Sequence, residues 1–142
     1  MPTRSQIVET ARSYLGTPFQ HQGRLKGIGV DCVGLLVCVG RDLGIELQDR
    51  TDYRRRPDGT LLQEMVDAQL EPISEDELVQ PGDILLIRYR APQHAAIVSK
   101  VEGDVWTCIH AIENGVCEHR FDSRWERRVC GRYRIPGVTD GG

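Results

Sequence analysis

From residue 81 onward the sequence leaves helical spacing and falls into short runs of strand length. "PGD" (81–83) introduces "ILLIRY" (84–89). "HAAIVSKV" (94–101), "VWTCIHAI" (105–112) and "VCEHRF" (116–121) follow, parted by "EGD" and "NG". Asn-Gly between apolar runs is a strong hairpin signal, so these segments predict an antiparallel sheet. A short strand near 129–135 is expected to close it. Upstream the pattern is helical. Thr3 and Gln6 suit a capping box, and Ile7, Val8, Ala11, Tyr14 and Leu15 fall on one face of a helix that should stop at Gly16. Residues 17–30 are rich in glycine and polar side chains and predict a loop. A second helix starts at Asp31 or Cys32, buries Leu35, Leu36, Val39 and Leu43, and ends at Gly44. A third covers about 60–70. Helices first and an antiparallel sheet afterwards define an α+β fold.

A chain of 142 residues suits one domain with a real core, expected over 1–136, with 137–142 as a flexible tail. The net charge of −3 excludes the global basic surface of a nucleic-acid binder. The basic run "YRRRPDG" (53–59) fits a solvated loop, or a contact with an anionic polymer. No segment approaches the ~18 apolar residues of a membrane span, so no membrane insertion is expected. The first sixteen residues lack the apolar core of a signal peptide, which predicts synthesis in the cytoplasm. Five cysteines is an odd number, and a disulfide scaffold is disfavoured.

"GIGVDCVGLLVCVGRDLGI" (27–45) places Cys32 where loop turns into helix. Backbone N–H groups and the positive end of the helix dipole favour an anion there, which predicts a thiolate of lowered pKa. Asp31 is a natural N-cap. Gly29 and Gly34 would let a substrate approach, and the local N–H groups, that of Cys32 included, would hold an oxyanion. A buried structural cysteine is the competing reading, and it is the one adopted for Cys38.

A cysteine nucleophile needs a base and a group to orient that base. The histidines are His21, His94, His110 and His119. His94 opens an apolar strand and would point out at a sheet edge, whereas His110 interrupts "CIHAI" and needs a polar partner. With a plain two-residue turn at Gly103-Asp104 the two fall on opposite faces. An odd loop or a bulge sets His110 beside Ala96, on the face of His94 and in diagonal reach of it. A Cys–His–His site therefore predicts such an irregularity. A rival constellation is zinc bound by Cys108, His110, Cys117 and His119. Around a two-residue Asn-Gly turn these four share one face, with His110 opposite His119. In that register Cys117 pairs with Ile112 and Cys108 with Phe121, which looks more like an apolar face. No metal or other cofactor is expected.

"YLGTPF…GVDCVGL", "PGDILLI", "HAAIV" and "IHA" occur in an order that resembles the NlpC/P60 family of cell-wall cysteine peptidases, over roughly residues 8–112. "TPFQHQG" and the short chain resemble the subset encoded with phage tail genes. The resemblance implies a papain-like fold with N-terminal helices packed on a C-terminal antiparallel sheet. It also implies hydrolysis of peptidoglycan stem peptides, at the bond between D-γ-glutamate and a diamino acid. Cys32 matches the family nucleophile, His94 the general base, and His110 the polar residue that fixes the imidazole. Asp31, Phe19, Gln20 and His21 are candidate substrate or oxyanion contacts. Phe19 stands where many members carry tyrosine, and Val33 replaces a serine. The implied partners are peptidoglycan stems and phage tail proteins, with action in the periplasm or wall. An amidase or acyltransferase on the same scaffold, and a tail-assembly protein with a vestigial site, are the competing functions.

Overall fold

The computed structural model describes residues 2–49, 60–88 and 92–140, so the "YRRRPDG" run lies outside the described residues. Helix α1 spans Arg4–Arg12. The Thr3 hydroxyl accepts from the Gln6 backbone N–H, and the Thr3 N–H donates to Gln6 Oε1, forming the capping box. Ile7, Val8, Ala11 and Tyr14 are buried. Leu15 is exposed instead, because the helix ends at Arg12 and turns lead on to Gly16 at φ +85°. A small ribbon, β1 (Arg24–Leu25) with β2 (Gly29–Val30), follows within the loop. Helix α2 spans Cys32–Asp42 with Asp31 as N-cap, and Gly44 at φ +76° lies just beyond it. Helix α3 spans Thr60–Gln69.

The strands are β3 (Glu71–Pro72), β4 (Ile84–Arg88), β5 (Pro92–Glu102), β6 (Val105–Ile112), β7 (Gly115–Phe121) and β8 (Val129–Arg134). A one-turn helix, α4 (Ser123–Glu126), sits between the last two. The sheet order is β3-β8-β4-β5-β6-β7, antiparallel throughout. The fold is therefore the expected α+β arrangement. The ribbon, β3 and α4 are too short to leave a periodicity in the sequence. Apolar residues cover both faces. Ile7 and Leu35 pack with Leu86, Ile97 and Ile109 on the helix side, while Leu85, Ile87, Val98, Cys108 and Phe121 form a second cluster. No helix among the described residues is long and apolar enough to cross a membrane.

Register decides where the histidines go. Glu102 faces Val105 across a two-residue turn, which by itself would set His94 and His110 on opposite faces. The register then shifts between Val98 and Lys100, so Ser99 is an extra residue, and Ile97 faces Ile109. The required irregularity is thus a bulge inside β5, not a longer loop. The next hairpin departs from expectation. Ile112 faces Gly115, so Glu113 and Asn114 form the turn, and Gly115 takes φ +106° inside the strand. His110 consequently faces Cys117, and His119 faces Cys108, rather than the histidines facing each other. The shift is two residues, so all four side chains keep their common face.

Residues 139 and 140 are tied to the start of α1. Thr139 exchanges backbone hydrogen bonds with the N-terminus, to Pro2 O (3.1 Å) and from Arg4 N (3.0 Å). Asp140 binds Arg4 Nε at 2.6 Å.

Candidate active site

Asp31 fastens the start of α2. Its carboxylate accepts from Gly34 N (2.8 Å), from Gln22 N (2.7 Å) and from Arg24 Nη1 (3.1 Å). These bonds tie the 17–30 loop to the helix. Gly34 makes the same junction sterically: a Cβ there would lie 2.0 Å from the Gly23 carbonyl oxygen. Gly29 likewise receives the Gln20 side chain against its Cα, where a Cβ would meet Gln20 Oε1. These two glycines admit the chain's own loop, not a substrate. Gly34→Ala should cost about 1–3 kcal/mol, since the clash is with rigid backbone. Thermal denaturation checks this, and an unchanged melting temperature would contradict it.

Cys32 is half-buried at the first position of α2. The backbone N–H groups of Ala95 and Val33 face its sulfur, so the helix start abuts the His94–Ala95 peptide at the head of β5. The sequence predicts a lowered thiol pKa, and the structure reverses that. Desolvation first, and the Asp31 carboxylate second, push the thiol up to about 12. The two N–H groups and Arg24 pull it down by less. The resting sulfur is a thiol.

His94 and His110 come together. His94 Nε2 lies 2.8 Å from His110 Nδ1, with the first residue 8% exposed and the second 0%. The His94 ring therefore does not face out from an edge, because β5 is interior to the sheet. A third ring continues the chain: His110 Nε2 is 2.8 Å from His119 Nε2, and His119 Nδ1 is 2.9 Å from the Arg120 carbonyl. Trp125, on α4, stands edge-on to His110 with ring centres 5.0 Å apart, and stacks on Phe121, also at 5.0 Å. The sequence gives no signal for Trp125, since its contacts depend on α4 folding back over β6 and β7.

Burial pushes the His94 pKa down to about 4. Burial, then the neighbouring His94 and His119 rings, push His110 down to about 3. Both rings are held neutral. Unfolded histidine titrates near 6.5, so below that pH the unfolded chain binds more protons than the folded one. Stability is therefore complete above about pH 6.5 and declines as pH falls toward 4. Each ring contributes a slope of about 1.4 kcal/mol per pH unit within that window. Denaturation midpoints between pH 7 and 4.5 should fall steadily, with a shallower slope in His110→Asn; a flat profile would contradict this.

The other expected contacts spread along the docked loop. Phe19 is 41% exposed and bridges to Val30, Gln20 donates its N–H to Val30 O, and His21 is half-buried. Asp31 is 4% exposed and engaged in the helix cap. Of the four zinc candidates, His110, Cys117 and His119 bring donor atoms within 4.8 Å of one another. The facing Nε2 atoms of the two histidines are hydrogen-bonded to each other. Cys108 lies in the second apolar cluster, and Cys38 is a core residue whose thiol donates to Arg24 O at 3.3 Å.

A cysteine-headed helix packed on an antiparallel sheet that pairs two buried histidines defines a papain-like α+β domain. Residues 16–134 match the NlpC/P60 family, and the chain belongs to it. It is similar to a solved structure of a lipoprotein-like NLP/P60 family protein from Staphylococcus aureus subsp. aureus Mu50. That match has 26% identity and a TM-score of 0.63, and it covers 93% of this chain but 41% of the staphylococcal one. The NlpC/p60 domain of the peptidoglycan hydrolase SagA matches with 23% identity and TM-score 0.57, over 94% of this chain and 99% of that one. Ly7917, solved with the hydrolysis product of MDP, shares the fold at 14% identity and TM-score 0.58, over 95% and 64%. No curated protein matches the sequence.

Proposed function

We propose that the protein is a cysteine peptidase that hydrolyses peptidoglycan stem peptides, with Cys32 as nucleophile, His94 as base and His110 as orienting residue. The observation that carries this is the buried 2.8 Å contact between His94 and His110, directly beside the peptide that touches the Cys32 sulfur. The family and the peptidoglycan hydrolase SagA support the substrate class. His94 uses Nε2 toward His110, and the thiol proton is assigned to its Nδ1. With a neutral thiol and a neutral ring at rest, proton transfer accompanies attack. The Cys32 proton moves to His94 Nδ1 as sulfur bonds to the carbonyl carbon. The tetrahedral oxyanion collapses, the C–N bond breaks, and the imidazolium protonates the leaving amine. Water, deprotonated by the same nitrogen, then cleaves the thioester and restores the thiol.

Within this reading the bond cut is the D-γ-glutamyl–diamino acid amide. The "TPFQHQG" stretch supports a phage-tail setting, with tail proteins as partners. Digestion of purified muropeptides, read by mass spectrometry, is expected to give fragments cut between stem residues. Release of the whole stem from the sugar would make the protein an amidase. No product at any pH from 5 to 9 would remove the peptidase reading.

A further inference from the structure

We propose that His119 is a positioning residue: its contact with the Arg120 carbonyl fixes the tautomer of all three histidines and leaves His94 Nδ1 as the basic nitrogen. The inference deepens the proposed peptidase reading and rests on it for its kinetic consequence, but the tautomers can be tested without a substrate.

Proton bookkeeping along the chain carries it. A carbonyl only accepts, so His119 Nδ1, 2.9 Å from Arg120 O, bears a proton. In a neutral ring Nε2 is then a lone pair. The His110 nitrogen facing it at 2.8 Å must donate, so His110 is protonated at Nε2 and bare at Nδ1. His94 Nε2, 2.8 Å from that bare nitrogen, must donate in turn, and His94 Nδ1 is left bare. Each ring passes the constraint to the next, and the source is one backbone carbonyl at the end of β7. Without His119, buried His110 has no fixed direction for its proton. With the alternative tautomer, His110 would donate to His94 Nε2 and place the His94 proton on Nδ1, where it blocks the thiol. Phe121 and Trp125 pack on the His119 ring, at 5.4 and 5.7 Å between centres, and hold its plane. The sequence offered His119 as one of four histidines and as a metal-ligand candidate.

Two variants and one spectrum test the proposal. In ¹⁵N-imidazole NMR of the free wild-type protein at pH 7, His119 should be protonated at Nδ1, and His110 and His94 at Nε2. His119 protonated at Nε2 would overturn the proposal whatever the activity. His119→Leu, which removes the acceptor, should lower kcat on muropeptides about 10- to 100-fold, the scale seen when the outer partner that orients a metal-bound histidine is lost. KM should stay unchanged, and the His94 Nδ1 signal should gain protonated character. His119→Gln, whose amide oxygen can accept from His110, should recover most of the rate. Wild-type kcat and wild-type spectra in folded His119→Leu would overturn the assignment. If that variant does not fold, the wild-type spectrum and the glutamine variant decide it. If the wild type cleaves no muropeptide, the peptidase reading falls while the spectrum still settles the tautomers.

Discussion

Cys32→Ala is expected to abolish muropeptide cleavage, lowering kcat by about 10⁵- to 10⁶-fold, the scale of removing a nucleophile from a working triad. That corresponds to about 7–8 kcal/mol of lost transition-state stabilisation. Folding should be nearly untouched. The side chain sits at the first position of α2, where the cap comes from Asp31 and the junction from Gly34, so alanine preserves the helix start. The melting temperature should move by no more than a few degrees. The pKa of about 12 adds a second expectation. At pH 7 the Cys32 thiol is held protonated by burial, so iodoacetamide should label exposed Cys130 before Cys32. Slow alkylation is thus compatible with the proposed catalysis, in which His94 would remove the proton only as the carbonyl is attacked. Cys32→Ala turning over at more than a hundredth of the wild-type rate would sink the nucleophile assignment.

The sequence exposed the features that repeat or that sit on a helix end. The Thr3–Gln6 box, the Asp31 cap and the strand runs of β4 to β7 each depend on residues within a few positions of one another. Parity arithmetic went further and required an irregularity between His94 and His110. It could not say whether the loop or the strand carries it, because the loop and the bulge give the same faces. The hairpin after β6 slipped by two because Asn-Gly signals a turn without fixing which pair occupies its centre. Here Gly115 uses its positive φ within β7, where its Cα approaches Thr17 O too closely for an ordinary side chain. The thiol pKa was misjudged for a different reason. Helix-end N–H groups are local and visible in sequence, whereas desolvation is set by what packs over the sulfur from elsewhere. Trp125 was missed on the same ground, since its ring neighbours come together only through the fold of α4 on the sheet, whereas His119 was read beside His110 but as a zinc candidate.

Asp83→Ala is expected to be the most destabilising single change in the scaffold. The aspartate of "PGD" is 0% exposed and serves four donors: Arg4 Nη1 at 2.9 Å, Arg134 Nε at 3.0 Å and Nη2 at 3.1 Å, and Gln80 N at 2.9 Å. It joins α1, the end of β8 and the entrance to β4. Arg4 also donates to Pro81 O and to Asp140, so the same guanidinium holds the C-terminal segment. Removing the carboxylate leaves two guanidinium groups converging on a buried point with only the outlying Asp140 and Glu77 among the described residues to compensate them, and breaking a buried pair in this way costs about 3–5 kcal/mol. Against a total of about 5–15 kcal/mol for a domain, that is a large share. The melting temperature should fall by about 10–20 °C. The penalty is for stranded charge rather than for a lost attraction, which gives a sharper test. Replacing Asp83, Arg4 and Arg134 together by leucine and methionines of similar volume should recover much of the loss, as apolar replacements of buried ion networks often do. A triple variant no more stable than Asp83→Ala would show that the network's hydrogen bonds, not its uncompensated charge, hold these elements together.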